Sequence, residues 1–356
     1  MTTLNIPNPL NTDGFEFAEY ASPNPKELDS LFKSLGFTAI AKHKSKDVTL
    51  YRQGDINFVL NNEPNSQASR AAEKHGPCVC AMGFRVKDAK FAHDEALKKG
   101  AKEFMVPHND GEEELLAIKG IGESLIYLVD KYGDNGDIYG DFVPLEGVDQ
   151  HPVGVGCTYI DHLTHNVYTG NMETWGKFYE DIFNFKQIRY FDIEGKLTGL
   201  VSKAMTSPCG KIRIPINEDR GEKGQIAEFL NKYNGEGIQH IALATSDIYT
   251  SVESMREQGT TFLSTPDTYY EKVDSRLEGH GEDLARMQKN CILIDGAPTE
   301  GQGLLLQIFT ETVIGPVFFE FIQRKGNEGF GEGNFQALFD SIEEDQIRRG
   351  VLEEAV

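Results

Sequence analysis

The chain reads as short apolar runs of strand length, interrupted by helices that carry one apolar stripe. Phe15–Tyr20 predicts a strand, after which Asn24-Pro25-Lys26-Glu27 opens a helix, with Asn as cap and Pro at the first helical position. Leu28, Leu31, Phe32 and Leu35 recur at helical spacing, and Gly36 ends the run. Strands are expected at Val48–Tyr51, Ile56–Leu60 and Val79–Val86, then a helix over 88–99 stopped by Gly100. Two more strands follow near Phe104–Val106 and Ser124–Val129, and Leu145–Gly156, with its Gly, Pro and Asp, reads as a linker.

Beyond the linker the same order restarts. Tyr159–Leu163 is a strand, and Met172, Trp175, Phe178, Tyr179 and Ile182 mark a helix capped near Asn171. Strands Leu200–Ala204, Lys211–Ile216 and Ile238–Ala244 follow, then a helix over 247–258, then strands Gly303–Phe309 and Phe318–Gln323. "LDSLFKSLGF" in the first half answers "WGKFYEDIFNF" in the second, and "FRVKDAKFAHDEALKKG" answers "ALATSDIYTSVESMREQG". The expected class is therefore α+β, with two domains (1–150 and 151–356), each a pair of βαβββ modules. Phe335, Leu338, Phe339 and Ile342 predict a terminal helix over about 335–353 with one apolar face.

Composition narrows the chemistry. The chain's 356 residues exceed what one average core organises, and 35 Lys+Arg against 56 Asp+Glu leave a net charge of −21. That charge argues against nucleic acid and anionic membranes as partners. Five cysteines at irregular spacing fit a reduced, cytoplasmic protein better than a disulfide framework, and no leader or spanning segment is expected.

Three polar residues interrupt apolar strands in the second half: His162, His240 and Glu320. An imidazole in such a strand is ordinarily a core histidine bonded to a carbonyl, and Glu320 could pair with Arg324. By alternation, however, His162 shares a face with Ile160, His240 with Ile238 and Ala242, and Glu320 with Phe318 and Ile322. Two imidazoles and one carboxylate, with no thiolate, form the set that holds non-haem Fe(II) with open positions, although zinc accepts the same atoms. In the first half Phe17 stands roughly where His162 does, and Cys80 or Ala81 where His240 does, so the chemistry is expected in the second half. His165 should face away from His162.

Six segments in order carry a resemblance: Tyr159–Val167, Gly237–Leu243, Thr265–Tyr270, Gly303–Phe309, Phe318–Arg324 and Gly329–Phe335. On these the chain resembles the 4-hydroxyphenylpyruvate dioxygenase family of the vicinal-oxygen-chelate superfamily. The resemblance implies curved, half-open barrels, Fe(2+) on His162, His240 and Glu320, and a homo-oligomer (dimer or tetramer). It also implies oxidative decarboxylation of 4-hydroxyphenylpyruvate by O2, ring hydroxylation and side-chain migration to homogentisate, within tyrosine breakdown. Ser202, Pro215, Asn217, Gln225, Gln239, Gln307 and Phe309 match pocket positions, with Phe330, Asn334, Phe335 and Phe339 in a C-terminal lid. Uncharged amides suit a neutral phenol, whose hydroxyl they orient without deprotonating it. Gln239 meets the metal face only if its strand carries a bulge. The nearest rival is 4-hydroxymandelate synthase, with the same ligands and substrate but benzylic hydroxylation; extradiol dioxygenases and non-catalytic binders on this scaffold are further alternatives.

Overall fold

The computed structural model describes residues 3–194, 199–221 and 224–338. Phe339 and the expected helix beyond 338 lie outside these residues.

Two curled sheets hold the chain. The first contains β1 (Phe15–Ala21), β2 (Thr38–His43), β3 (Val48–Gln53), β4 (Ile56–Asn61), β5 (Cys78–Arg85), β6 (Glu103–Met105), β7 (Leu116–Lys119), β8 (Leu125–Val129) and β9 (Phe142–Pro144). The second contains β10 (Cys157–Asn166), β11 (Lys186–Glu194), β12 (Gly199–Thr206), β13 (Arg213–Asp219), β14 (Gly237–Thr245), β15 (Leu293–Gly296), β16 (Leu304–Phe309) and β17 (Phe318–Lys325). The first sheet runs β2-β3-β4-β1-β5-β8-β7-β6, with β9 outside β2; the second runs β11-β12-β13-β10-β14-β17-β16-β15. The orders are the same, and each sheet places two βαβββ modules side by side, as the internal repeat predicts.

The register makes the repeat residue-specific. In the first half Glu16 and Cys80 are squeezed out of the β1–β5 ladder; in the second, Asp161 and Gln239 are squeezed out of β10–β14 at the corresponding points. Phe17 pairs with Gly83, which pairs with Tyr127; His162 pairs with Ala242, which pairs with Glu320. His240 corresponds to Ala81. The three ligand candidates thus have Phe17, Ala81 and Tyr127 as their counterparts.

Helices α1 (Pro25–Ser34), α2 (Gln67–His75), α3 (Ala89–Lys98), α4 (Met172–Phe183), α5 (Gln225–Tyr233) and α6 (Ile248–Glu257) accompany the sheets. Apolar residues from both halves join in one core, where the Phe319 ring stacks 6.0 Å from Phe58 and 6.5 Å from Tyr20. The sequence pattern misses α2 because its buried positions are only Ala68, Ala72 and His75, too small or polar to read as a stripe. Ser66 nevertheless caps it, accepting from the Ser69 amide.

Candidate metal centre

The bulges decide which way the candidate ligands point. Ile238 and Ile160 belong to the main core rather than to the face of His240 and His162, contrary to simple alternation. Each extra residue shifts the period by one, so Ile238, Ile241 and Leu243 are core while His240 and Ala242 face the concave side. The bulge that Gln239 required is therefore present, at Gln239 itself.

His162, His240 and Glu320 converge, with one ligand atom from each within 4.8 Å of the others. Glu320 Oε2 lies 3.1 Å from His162 Nε2 and 3.4 Å from His240 Nε2, and the two Nε2 atoms are 3.3 Å apart. Each histidine is oriented by the bulged residue before it. His162 Nδ1 donates to Asp161 Oδ1 at 2.9 Å, and His240 Nδ1 to Gln239 Oε1 at 3.0 Å. An acceptor at Nδ1 fixes the proton there and leaves the lone pair on Nε2. Three acceptors then face one another in a buried place, and Glu320 Oε1 has no hydrogen-bond partner. Acceptors repel at these distances unless a proton or cation lies between them, so the donor set fits a metal ion. With no ion between them, burial works to raise the Glu320 carboxyl, and a proton on the facing His162 or His240 imidazole brings it down to about 2. Burial lowers His240, whereas His162, also buried, is raised by Glu320 and Asp161.

Arg324 does not pair with Glu320. Its guanidinium grips both oxygens of the fully buried Asp161 at 2.8 Å each. The remaining nitrogen donates to the carbonyls of Asn327 (3.0 Å) and Gly329 (2.7 Å). Phe330, next in that loop, sets its ring edge-to-face on His162, 5.3 Å between centroids. Arg213 adds a second buried guanidinium 3.7 Å from Asp161 and pairs with Glu328. Sequence reasoning missed Asp161 and Arg213 in this role. The only signal was an acid next to a candidate ligand, which alternation assigns to the opposite face.

Of the other expected pocket residues, Ser202 and Asn217 are buried and directly opposed across β12–β13, with Pro215 two residues from Asn217 on the same strand. Asn217 Nδ2 donates to Asn166 Oδ1 at 3.2 Å, and the buried Asn166 amide nitrogen has no partner of its own. Asn166, which the motifs did not single out, pairs with Asn217 across β10–β13. Phe309 pairs with Glu320 across β16–β17. Gln307 is buried beside it and accepts from Asn334 Nδ2 at 3.3 Å, while Tyr269 donates to Asn334 Oδ1 at 2.6 Å. Gln225 is exposed at the first position of α5.

Phe335, expected in the lid, is 45% exposed. Residues 332–338 are helical, with Asn334 buried and Ala337 and Leu338 packed against the core. Phe335 follows Asn334 by about 100° of rotation and is not among the packed positions. The inward stripe is offset by one residue from the one expected. His165 faces the core, its Nδ1 3.2 Å from the Leu163 carbonyl, and burial pushes it down to about 3.

Known proteins resemble this chain over most of its length. A family model described as "Hydroxyphenylpyruvate dioxygenase, HPPD, N-terminal" matches residues 6–143. One described as "Glyoxalase/Bleomycin resistance protein/Dioxygenase superfamily" matches residues 159–273. "Hemolysin VllY" of Vibrio vulnificus is 61% identical over 98% of this chain and 99% of its own length. A 4-hydroxyphenylpyruvate dioxygenase of Pseudomonas aeruginosa is 59% identical over 97% of each chain. Among solved structures, a triple mutant of 4-hydroxymandelate synthase from Streptomyces coelicolor superposes with a TM-score of 0.79 at 25% identity, covering 94% of this chain and 99% of that one.

Proposed function

The chain belongs to the 4-hydroxyphenylpyruvate dioxygenase family, and from that premise we propose that it converts 4-hydroxyphenylpyruvate and O2 to homogentisate and CO2, with Fe(II) held by His162, His240 and Glu320. The observation that carries the reading is the buried meeting of three acceptor atoms whose protons are fixed elsewhere. Two histidines and one carboxylate suit Fe(II) and leave positions for a chelating 2-keto acid and O2. Bound there, the metal would activate O2 and hold the keto acid; orientation and dryness fall to the protein.

Asp161 and Gln239 keep the two imidazoles in the tautomer that ligates. Ser202, Asn217 and Gln307 offer hydroxyl and amide groups to a neutral phenol, and Phe309 and Phe330 supply apolar walls on either side of the ligand set. Gln225 and Phe335, both exposed, and Phe339 are assigned to the pocket and lid by resemblance alone. Phe330, over His162, excludes water from the centre. We further propose a homo-oligomer in the cytoplasm; among the described residues no helix is long and apolar enough to cross a membrane.

Anaerobic loading with Fe(II), then addition of 4-hydroxyphenylpyruvate and O2 with product identification, tests the reading. Homogentisate is expected. 4-Hydroxymandelate would move the chemistry to the benzylic carbon, and no O2 uptake would overturn the assignment. His240→Ala should lose iron with the fold retained; unchanged turnover would refute the ligand set.

A further inference from the structure

The half without the ligand triad also has a concave face, and it is not filled. Phe17 and Tyr127, counterparts of His162 and Glu320, pack together there with centroids 5.5 Å apart. Their bulk displaces any metal position: a Cβ on Gly83 would already lie 2.7 Å from the Phe17 ring. One step along β1, on the same side, stands Glu19, whose counterpart is Thr164. Beyond these residues lies a cavity of about 340 Å³, within the range of small-molecule sites.

Glu19 is the unexplained group. It is 4% exposed, lines this cavity, and accepts a 2.6 Å bond from Asn61 Nδ2, with the Tyr127 hydroxyl beside it. Among the described residues no lysine, arginine or histidine pairs with it. A carboxylate so buried ordinarily has a cation, and burial pushes this one up to about 7. The corresponding buried acids of the two bulges, Glu16 and Asp161, each have an arginine, at 2.5 Å and 2.8 Å. At the mouth, the lysines are already matched: Lys46 with Glu112 and Lys44 with Asp141. Of the lining's five carboxylates, Glu112 and Asp141 are met by these lysines and Glu113 by Lys131, and among the described residues Glu19 and Glu63 have no cation. Its potential therefore favours a positive guest, and its inner walls are aromatic and aliphatic.

We propose that this cavity is a second small-molecule site, taking a compact organic cation with a flat apolar body, an arylalkylamine in chemical class, whose ammonium pairs with Glu19. The ring would lie among Phe17, Tyr127 and Val59, and the ammonium would take the place that an arginine occupies at Glu16 and Asp161. The site lies in the half of the chain without the three candidate ligands, so it stands or falls separately from the iron reading.

The test uses the full chain with saturating 4-hydroxyphenylpyruvate under anaerobic conditions, so that the metal centre is occupied. Benzylamine, benzyl alcohol and benzoate are titrated by calorimetry, and the benzylamine position is read from ring contacts to Tyr127 by NMR. Benzylamine should bind at least tenfold more tightly than either isostere, and Glu19→Gln should remove that preference. Asn61→Ala, which keeps the carboxylate and deletes its amide donor, should bind benzylamine at least as tightly as the parent and provides the readout if Glu19→Gln does not fold. Absence of benzylamine binding, equal binding of benzyl alcohol, or a preference untouched by Glu19→Gln would overturn the proposal.

Discussion

Asp161→Asn separates two jobs that one buried carboxylate performs. It accepts from His162 Nδ1 at 2.9 Å, and it neutralises Arg324 through two bonds of 2.8 Å. Asparagine keeps the shape but removes the charge, leaving the Arg324 guanidinium buried without its counter-ion. Breaking a buried pair on one side costs about 3–5 kcal/mol, which a protein of ordinary stability, about 5–15 kcal/mol, survives in the cold. A neutral amide oxygen is also a weaker acceptor for the imidazole than a carboxylate, by roughly half. Loss of such an orienting partner typically weakens metal binding about 10–100-fold, or about 1.4–2.8 kcal/mol. Urea unfolding of the metal-free chain measures the first effect, and anaerobic competition with a chelator for Fe(II) measures the second. Asp161→Asn with Arg324→Met removes both halves of the ion pair and should recover most of the stability but not the metal affinity. If iron affinity in Asp161→Asn stays within twofold of the parent, the Asp161–His162 bond does not position the ligand and the reasoning fails.

Two further outcomes follow from single residues. Gly331 has φ +78, and a Cβ there would collide with the Gln307 amide; Gly331→Ala adds left-handed strain of about 1–2 kcal/mol and displaces the loop bearing Phe330. Its kcat/KM for 4-hydroxyphenylpyruvate should fall at least tenfold, and parental turnover would show that the loop does not close over the site. Glu19, buried, is raised from 4.5 to about 7, so the stability it lends is complete below its ordinary value and fades as pH rises through 7. Between about pH 5 and pH 8 the parent should lose more stability than Glu19→Gln, by up to about 3 kcal/mol; parallel melting curves would refute the raised value.

How much was legible varied with the kind of residue. Large apolar side chains at regular spacing gave α1, α4 and most strands, because burial rewards a periodic stripe whatever the tertiary partner. Helix α2, with alanines on its buried face, carries no such stripe. Of the terminal helix expected over 335–353, the described residues 335–338 are helical, but their inward face was not legible. Phe335 and Leu338 make as good a stripe as Asn334, Ala337 and Leu338 until the partners of Asn334 are known, and these are Tyr269 and, on β16, Gln307.

The candidate centre divides in the same way. His162, His240 and Glu320 stand out in the linear chain because each breaks an apolar strand, and a polar group there requires a partner. Which way they point is a different matter, since one extra residue in a ladder reverses every side chain beyond it. The bulges at Asp161 and Gln239 arise from pairing between β10 and β14, whose paired residues are separated by tens of positions. That pairing turns Ile238 and Ile160 to the core and brings each bulged side chain to the Nδ1 of the next histidine. The ligand types were thus written in the chain, whereas their tautomers, their support by Arg324 and the placing of Glu19 on the concave face of the other half depend on strand register, which exists only once the sheets have formed.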